Sequence, residues 1–158
     1  MNRVRPAGPD DVEELASLLI EFHAEAGFQR TRAEAAGKFR PLLAAPELGQ
    51  AWLLEADGQP AGFVVLTVCF SMEHGGLRGF VDDLFVRKAF RRRGLASAAL
   101  EEVRRECTRR GVRALLVETG AENEAALRTY RRAGFSETGH LLLTMKLTPP
   151  DLASAREA

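Results

Sequence analysis

The chain carries no surplus of charge: 22 Lys and Arg balance 22 Asp and Glu within 158 residues, a formal net charge of zero. That balance argues against a general nucleic-acid or membrane binder, whose surface needs a basic excess. Cysteine is equally scarce. The two present, Cys69 and Cys107, are far apart and lack Cys-x-x-Cys spacing, which excludes a disulfide framework and a zinc site and points to buried, inert thiols. No uncharged apolar run approaches bilayer length, and the acidic stretch Asp10, Asp11, Glu13 and Glu14 is the reverse of a secretory leader, so a cytoplasmic protein is expected. None of the three histidines, His23, His74 and His140, has a second metal ligand or a nucleophile at useful spacing. With no Ser/His/Asp arrangement either, neither a metal centre nor an acyl-enzyme intermediate is indicated.

What is present is one domain's worth of patterned sequence: 46% of the residues are hydrophobic and no repeat or low-complexity tract interrupts them. Residues 1–148 read as a single domain, and 149–158, small or charged after Pro149-Pro150, as a flexible tail. Asp10, with Glu13 three residues on, predicts the start of a first helix with Val12, Leu15, Leu19 and Phe22 on one side, ending at Gly27. Thr31 and Glu34 repeat the capping spacing for a second helix, which Pro41 should kink or end early. Ala51–Ala56 and Ala61–Phe70, separated by Asp57-Gly58, predict a hairpin, and Gly75-Gly76 a turn into a third strand, Gly79–Val86.

The next junction is the most informative. Arg91-Arg92-Arg93-Gly94-Leu95-Ala96 joins that strand to a helix from Ser97 to Arg110, with Leu95, Ala99, Leu100, Val103 and Cys107 at helical spacing. Amides at a helix start lack intrahelical partners and sit at the positive end of its dipole, so such a junction cradles phosphate. Gly94 and Ala96 keep side-chain bulk away from it. The pattern is neither a P-loop nor a dinucleotide fingerprint. A strand Ala114–Val117, a helix Asn123–Ala133 and a final strand Leu141–Leu147 follow. Strand, crossover helix and strand imply a parallel pair beside antiparallel strands. The expected fold is therefore mixed α/β, mostly antiparallel, with a central parallel pair flanked by helices.

The segment Arg-x-x-Gly-x-Ala resembles motif A of the GNAT N-acetyltransferases. Its flanks strengthen the likeness: Asp82-Asp83-Leu84-Phe85-Val86 before it, and Asn123, Tyr130 and Gly134-Phe135 after it, in that superfamily's order. The acidic strand looks most like the branch that acetylates polyamines and other small amines. The resemblance implies acetyl-coenzyme A as acyl donor, its pyrophosphate on the amides of Arg92 to Ser97 with guanidinium charge from Arg91, Arg92 and Arg93. It implies that pantetheine pairs with the backbone of Leu84, Phe85 and Val86, which a bulge splays from the next strand. Asn123 would touch the same arm, Tyr130 would be the general acid at the sulfur, and relatives that often pair leave a homodimer open.

An amine with a pKa of about 10.4 arrives protonated, so the site must bind a cation and then remove a proton. Asp82 and Asp83 lie in an otherwise apolar strand, where an unpaired buried charge is costly. By similarity, Asp82 is the expected amine-binding or proton-relay residue, with Asp83 and Glu118 as further candidates. The expected function is transfer of acetyl to a primary amine of a small molecule by direct attack in a ternary complex. Acetylation of protein N-termini or lysines, a silent acyl-coenzyme A binding module, and a nucleic-acid contact through Arg87 to Arg93 remain as alternatives.

Overall fold

Alternating apolar residues in the middle of the chain build the sheet on which everything else is placed. The computed structural model describes residues 1–148; the expected tail lies outside them. The elements run β1 (Asn2–Pro6), a 3-10 turn at Pro9–Asp11, α1 (Val12–Glu25), α2 (Arg32–Ala44), β2 (Gly49–Ala56), β3 (Gln59–Ser71) and β4 (Gly76–Val86). A 3-10 turn at Lys88–Phe90, α3 (Leu95–Arg109), β5 (Ala114–Val117) and α4 (Glu124–Arg132) complete the order. The five strands lie in sequence order, antiparallel except for the parallel pair β4–β5. The mixed, mostly antiparallel sheet read from the sequence is what forms.

Period-two alternation in β3 feeds two cores. Phe63 and Val65 pack with Leu15, Leu18, Leu19 and Phe39 under α1 and α2, while Val64 and Leu66 pack with Leu95, Leu100 and Val103 under α3. All five expected inward residues of α3, Leu95, Ala99, Leu100, Val103 and Cys107, are buried. Each large side chain so buried is worth about 1.5–3 kcal/mol. The β2–β3 turn places Asp57 at φ 53° and Gly58 at φ 76°, the left-handed pair a two-residue hairpin needs.

Several expectations are corrected. β1 carries no strong strand pattern, since Val4 alone offers an aliphatic side chain, yet it pairs with β2 along its length. Arg5 anchors it between Glu55 and Asp11, each at 2.8 Å. Asp11, not Asp10, stands at the start of α1, because Pro9 opens a 3-10 turn and the Gly8 N–H donates to Asp11 at 2.8 Å. The Thr31–Glu34 capping box forms, but α2 runs through Pro41 to Ala44. Its last turn is held by Leu42 and Leu43 against the core, outweighing the lost backbone bond. Cys69 is exposed, whereas Cys107 is buried, and burial pushes its thiol up to about 11. Leu141–Leu147 form no strand: their side chains stand in solvent, with Leu141 89% and Leu143 87% exposed.

Candidate functional site

The junction between β4 and α3 is built from two left-handed residues, Arg92 at φ 64° and Gly94 at φ 79°. Among the described residues, the N–H groups of Arg92 through Ser97 donate to no protein acceptor, so the turn and the first turn of α3 present a run of free donors. A Cβ at Gly94 would meet nothing within 4 Å, so no protein atom fills the space beside that residue. The loop is pinned from behind. Asn2 Nδ2 donates to the Arg93 carbonyl at 2.7 Å, and Asp57 binds Arg93 at 2.8 Å and the Met1 ammonium at 3.0 Å. Residues of β1 and the hairpin turn thus hold the cradle, and nothing in their sequence signals that role.

The three arginines do not act alike. Arg91 is engaged by Glu25 at 2.6 Å and by the Val86 carbonyl, and Arg93 by Asp57 while its guanidinium lies over Phe90. Among the described residues, Arg92 has no carboxylate partner, so it alone of the three offers uncommitted charge beside the amides.

β4 and β5 pair from Arg78↔Ala114 only as far as Val81↔Val117. On the other side β4 stays bonded to β3 through Val86, with a register slip that leaves Asp82 without a partner between Val81 and Asp83. Leu84, Phe85 and Val86 therefore keep one backbone edge free on the β5 side. An extended, amide-bearing chain can add to such an edge, and a diphosphate at its end would reach the cradle.

The same irregularity separates the two acids. Asp82 is exposed; Asp83 is half-buried, and burial, helped by the Asp82 charge and opposed by Lys38, pushes its carboxyl up to about 6. Asp82, the acid expected to meet the amine, faces solvent at the slip, one residue from Asp83. Tyr130 is half-buried and packs edge-on to Phe135, with ring centroids 5.7 Å apart. Burial raises its phenol pKa and the Asp83 charge raises it further, which places the two groups within electrostatic reach. Asn123 caps α4, its side-chain oxygen accepting from the Ala126 N–H at 3.1 Å. It stands two helical turns before Tyr130, but the cap is the contact it makes. Glu118 is exposed beyond the end of β5.

On the α2 side, an open cleft of about 540 Å³ is lined by Lys38, Leu42, Leu48, Thr67, Arg78 and Phe80, among others. Lys38 joins this cleft to Asp83, since its charge acts there. Among the described residues, no three His, Cys, Asp or Glu side chains gather in a way that could hold an ion.

A chain with this cradle, this splayed strand pair and this phenol can be compared with known proteins. A structure from the mobile metagenome of Cole Harbour Salt Marsh, the integron cassette protein HFX_CASS3, is 48% identical, with TM-score 0.85 over 93% of this chain and 91% of that one. The aminoglycoside N-acetyltransferase AAC(6')-Iy, solved with coenzyme A, shares the fold at TM-score 0.78 and 22% identity, over 92% of this chain and 95% of that one. Among curated proteins, the aminoglycoside N(6')-acetyltransferase type 1 of Salmonella typhimurium is 30% identical over 98 residues, 58% of this chain and 65% of that protein. The chain spans 60 to 65% of the length of the first curated relatives it matches. The model of the acetyltransferase (GNAT) family matches residues 12–135, which contain the cradle, both acids and Tyr130. With the match covering most of the chain and all of the site, the chain belongs to the GNAT acetyltransferase family.

Proposed function

We propose that the protein transfers an acetyl group from acetyl-coenzyme A to a primary amine of a small molecule. The observation that supports this reading is the combination of a free-amide cradle, an unpaired β4 edge and a half-buried phenol that feels the charge of a perturbed carboxyl. The residues fit the donor: anionic diphosphate at the amides of Arg92 to Ser97 beside Arg92, and amide-bearing pantetheine along Leu84 to Val86. That donor supplies an activated thioester.

The chain supplies everything else. Asp83 receives the amine as a cation and takes its proton, directly or through one water. An amine near 10.4 and a carboxyl at about 6 differ by about 6 kcal/mol in proton affinity, so the carboxyl's rise narrows the gap and the apolar surroundings of β4 must lower the amine to close it. The freed nitrogen attacks the thioester carbon, and an N–H left unpaired at the β4 splay stabilises the oxygen that gains charge. As the carbon–sulfur bond breaks, Tyr130 protonates the sulfur, and the second proton of the attacking nitrogen, lost as the amide forms, passes through water to restore the phenol. Its raised pKa suits a donor, since the phenol keeps its proton until a thiolate is at hand. The open cleft beside Lys38, Arg78 and Phe80 is the acceptor side of this arrangement.

A panel of small amines, aminoglycosides and peptide N-termini, read by release of the coenzyme A thiol, tests the proposal. Turnover of a small amine at least tenfold above any peptide supports it. Turnover of peptides alone transfers the assignment to protein acetylation, and binding of coenzyme A with no acceptor turned over makes the protein a sensor of the cofactor.

A further inference from the structure

The face of the sheet under α1 and α2 carries its charges in a set order. The β3–β4 register puts Asp83 opposite Val65, Phe80 opposite Thr67 and Arg78 opposite Cys69. Val65, Thr67 and Cys69 alternate along β3 and share the face on which Val65 meets the first core, so Asp83, Phe80 and Arg78 share it too. Asp83 and Arg78 stand four residue steps apart along β3, about 13 Å of strand. Arg78 is held over its own cross-strand neighbour, its Nε donating to the Cys69 sulfur at 3.4 Å.

The cleft on this face is lined by two charged residues, Lys38 and Arg78, and both are cations. Other arginines near by are answered: Arg32 and Arg40, on the same helix as Lys38, pair with Glu13, and Arg3 and Arg5 with Glu55. Among the described residues, neither Lys38 nor Arg78 makes an ion pair, and Glu34, one helical turn before Lys38, is engaged by the Thr31 cap. The terminal nitrogens of Arg78 likewise meet no protein acceptor among the described residues, and together they can hold both oxygens of one carboxylate. Two unanswered cations, with a carboxyl past the Phe80 end of the cleft, are the complement of a molecule positive at one end and negative at the other. A polyamine or an aminoglycoside would instead set its remaining ammonium groups against Lys38 and Arg78.

We propose that the acceptor is an amine that carries its own anion, a carboxylate or a phosphate several bonds from the nitrogen, with its ammonium at Asp83 and its anion on Arg78 and Lys38. The proposal rests on the acetyl-transfer reading above and narrows the acceptor it takes. Taking a hydrogen bond from each end of the span leaves about 7 Å between nitrogen and anion, which an extended chain of about six carbons fills.

The matched pair ω-aminohexanoate and pentylamine presents one amine with and without a carboxylate. Read by release of the coenzyme A thiol, kcat/KM for the acid should be at least about tenfold the higher, with the difference in KM. Arg78→Glu should reverse the order and raise cadaverine above ω-aminohexanoate, a gain that a misfolded variant does not produce. ω-Aminopentyl phosphate identifies the anion: whichever of phosphate and carboxylate gives the lower KM is the one the two cations hold, and a KM for both no lower than that of pentylamine overturns the proposal. β-Alanine turned over as well as ω-aminohexanoate overturns it too, since its carboxylate falls short of Arg78. Amines acetylated with no preference for the anionic partner sink this inference and leave acetyl transfer standing. If no amine is turned over, acetyl transfer falls and calorimetry decides the cleft: ω-aminohexanoate should bind the protein with coenzyme A at least about tenfold more tightly than pentylamine, and equal binding overturns the inference.

Discussion

At the residue scale, the proposed mechanism divides the proton work between Tyr130 and Asp83, and each role has its own substitution. Tyr130→Phe keeps the ring that packs on Phe135 and deletes only the O–H. Turnover should fall about a hundredfold or more, the usual worth of a positioned general acid, while coenzyme A affinity by calorimetry stays within about twofold. Unchanged turnover would remove the phenol from the mechanism. For Asp83 the pH dependence has a definite sign. Its folded pKa of about 6 lies above the ordinary 3.8, so between those values the folded state holds more protons than the unfolded chain. Stability therefore falls as pH rises from about 4 to 6, by about 3 kcal/mol in all if the full difference is felt, and stays lower above. Activity runs the other way, since only the carboxylate accepts a proton. Asp83→Asn should thus melt several degrees higher than the original at pH 8, lose the rise of kcat/KM through pH 6, and fall sharply in turnover. A variant that melts lower at pH 8 would contradict the burial argument.

At the element scale, the cradle depends on a conformation that Gly94 adopts freely. Gly94→Val imposes a β-branched side chain at φ 79°, at a cost of about 1–2 kcal/mol, or about 2–8 °C in melting midpoint for a chain of this size. Because a Cβ there meets no protein atom, the larger effect should be on the ligand: coenzyme A affinity should drop at least tenfold in calorimetry while the melt remains cooperative. Equal affinity would place the diphosphate elsewhere. This element was legible in the sequence, as were α3, the Asp57-Gly58 turn and the Thr31 cap, because each rests on local chemistry. Local signals failed where tertiary contacts decide. β1 is held by ion pairs to Glu55, about fifty positions away, α2 survives Pro41 through its packing, and Leu141–Leu147 has strand-like alternation but no partner among the described residues. The choice between Asp82 and Asp83 was likewise hidden, since a one-residue slip against β3 decides which acid is buried.

At the scale of the whole molecule, the issue is whether the basic run from Arg87 to Arg93 is a surface for nucleic acid. Its five basic residues are largely answered from within: Arg87 by Glu21 at 2.7 Å, Arg91 by Glu25 at 2.6 Å and Arg93 by Asp57 at 2.8 Å. Among the described residues, Lys88 and Arg92 are the two without a carboxylate partner. Two free charges suit one diphosphate. They are few for a polyanion, where the fall of log affinity with log salt grows by about 0.9 for each phosphate neutralised on duplex DNA. With a formal net charge of zero there is also no long-range field to gather such a ligand. In a filter or fluorescence assay at 0.15 M salt, duplex DNA should not be retained below about 100 μM protein, whereas coenzyme A, which needs only the cradle, should bind and be weakened severalfold by Arg92→Ala. DNA bound at micromolar protein, with a salt slope of several units, would mean that the ion pairs to Glu21, Glu25 and Asp57 open to release their arginines, and would make nucleic acid a ligand of this face.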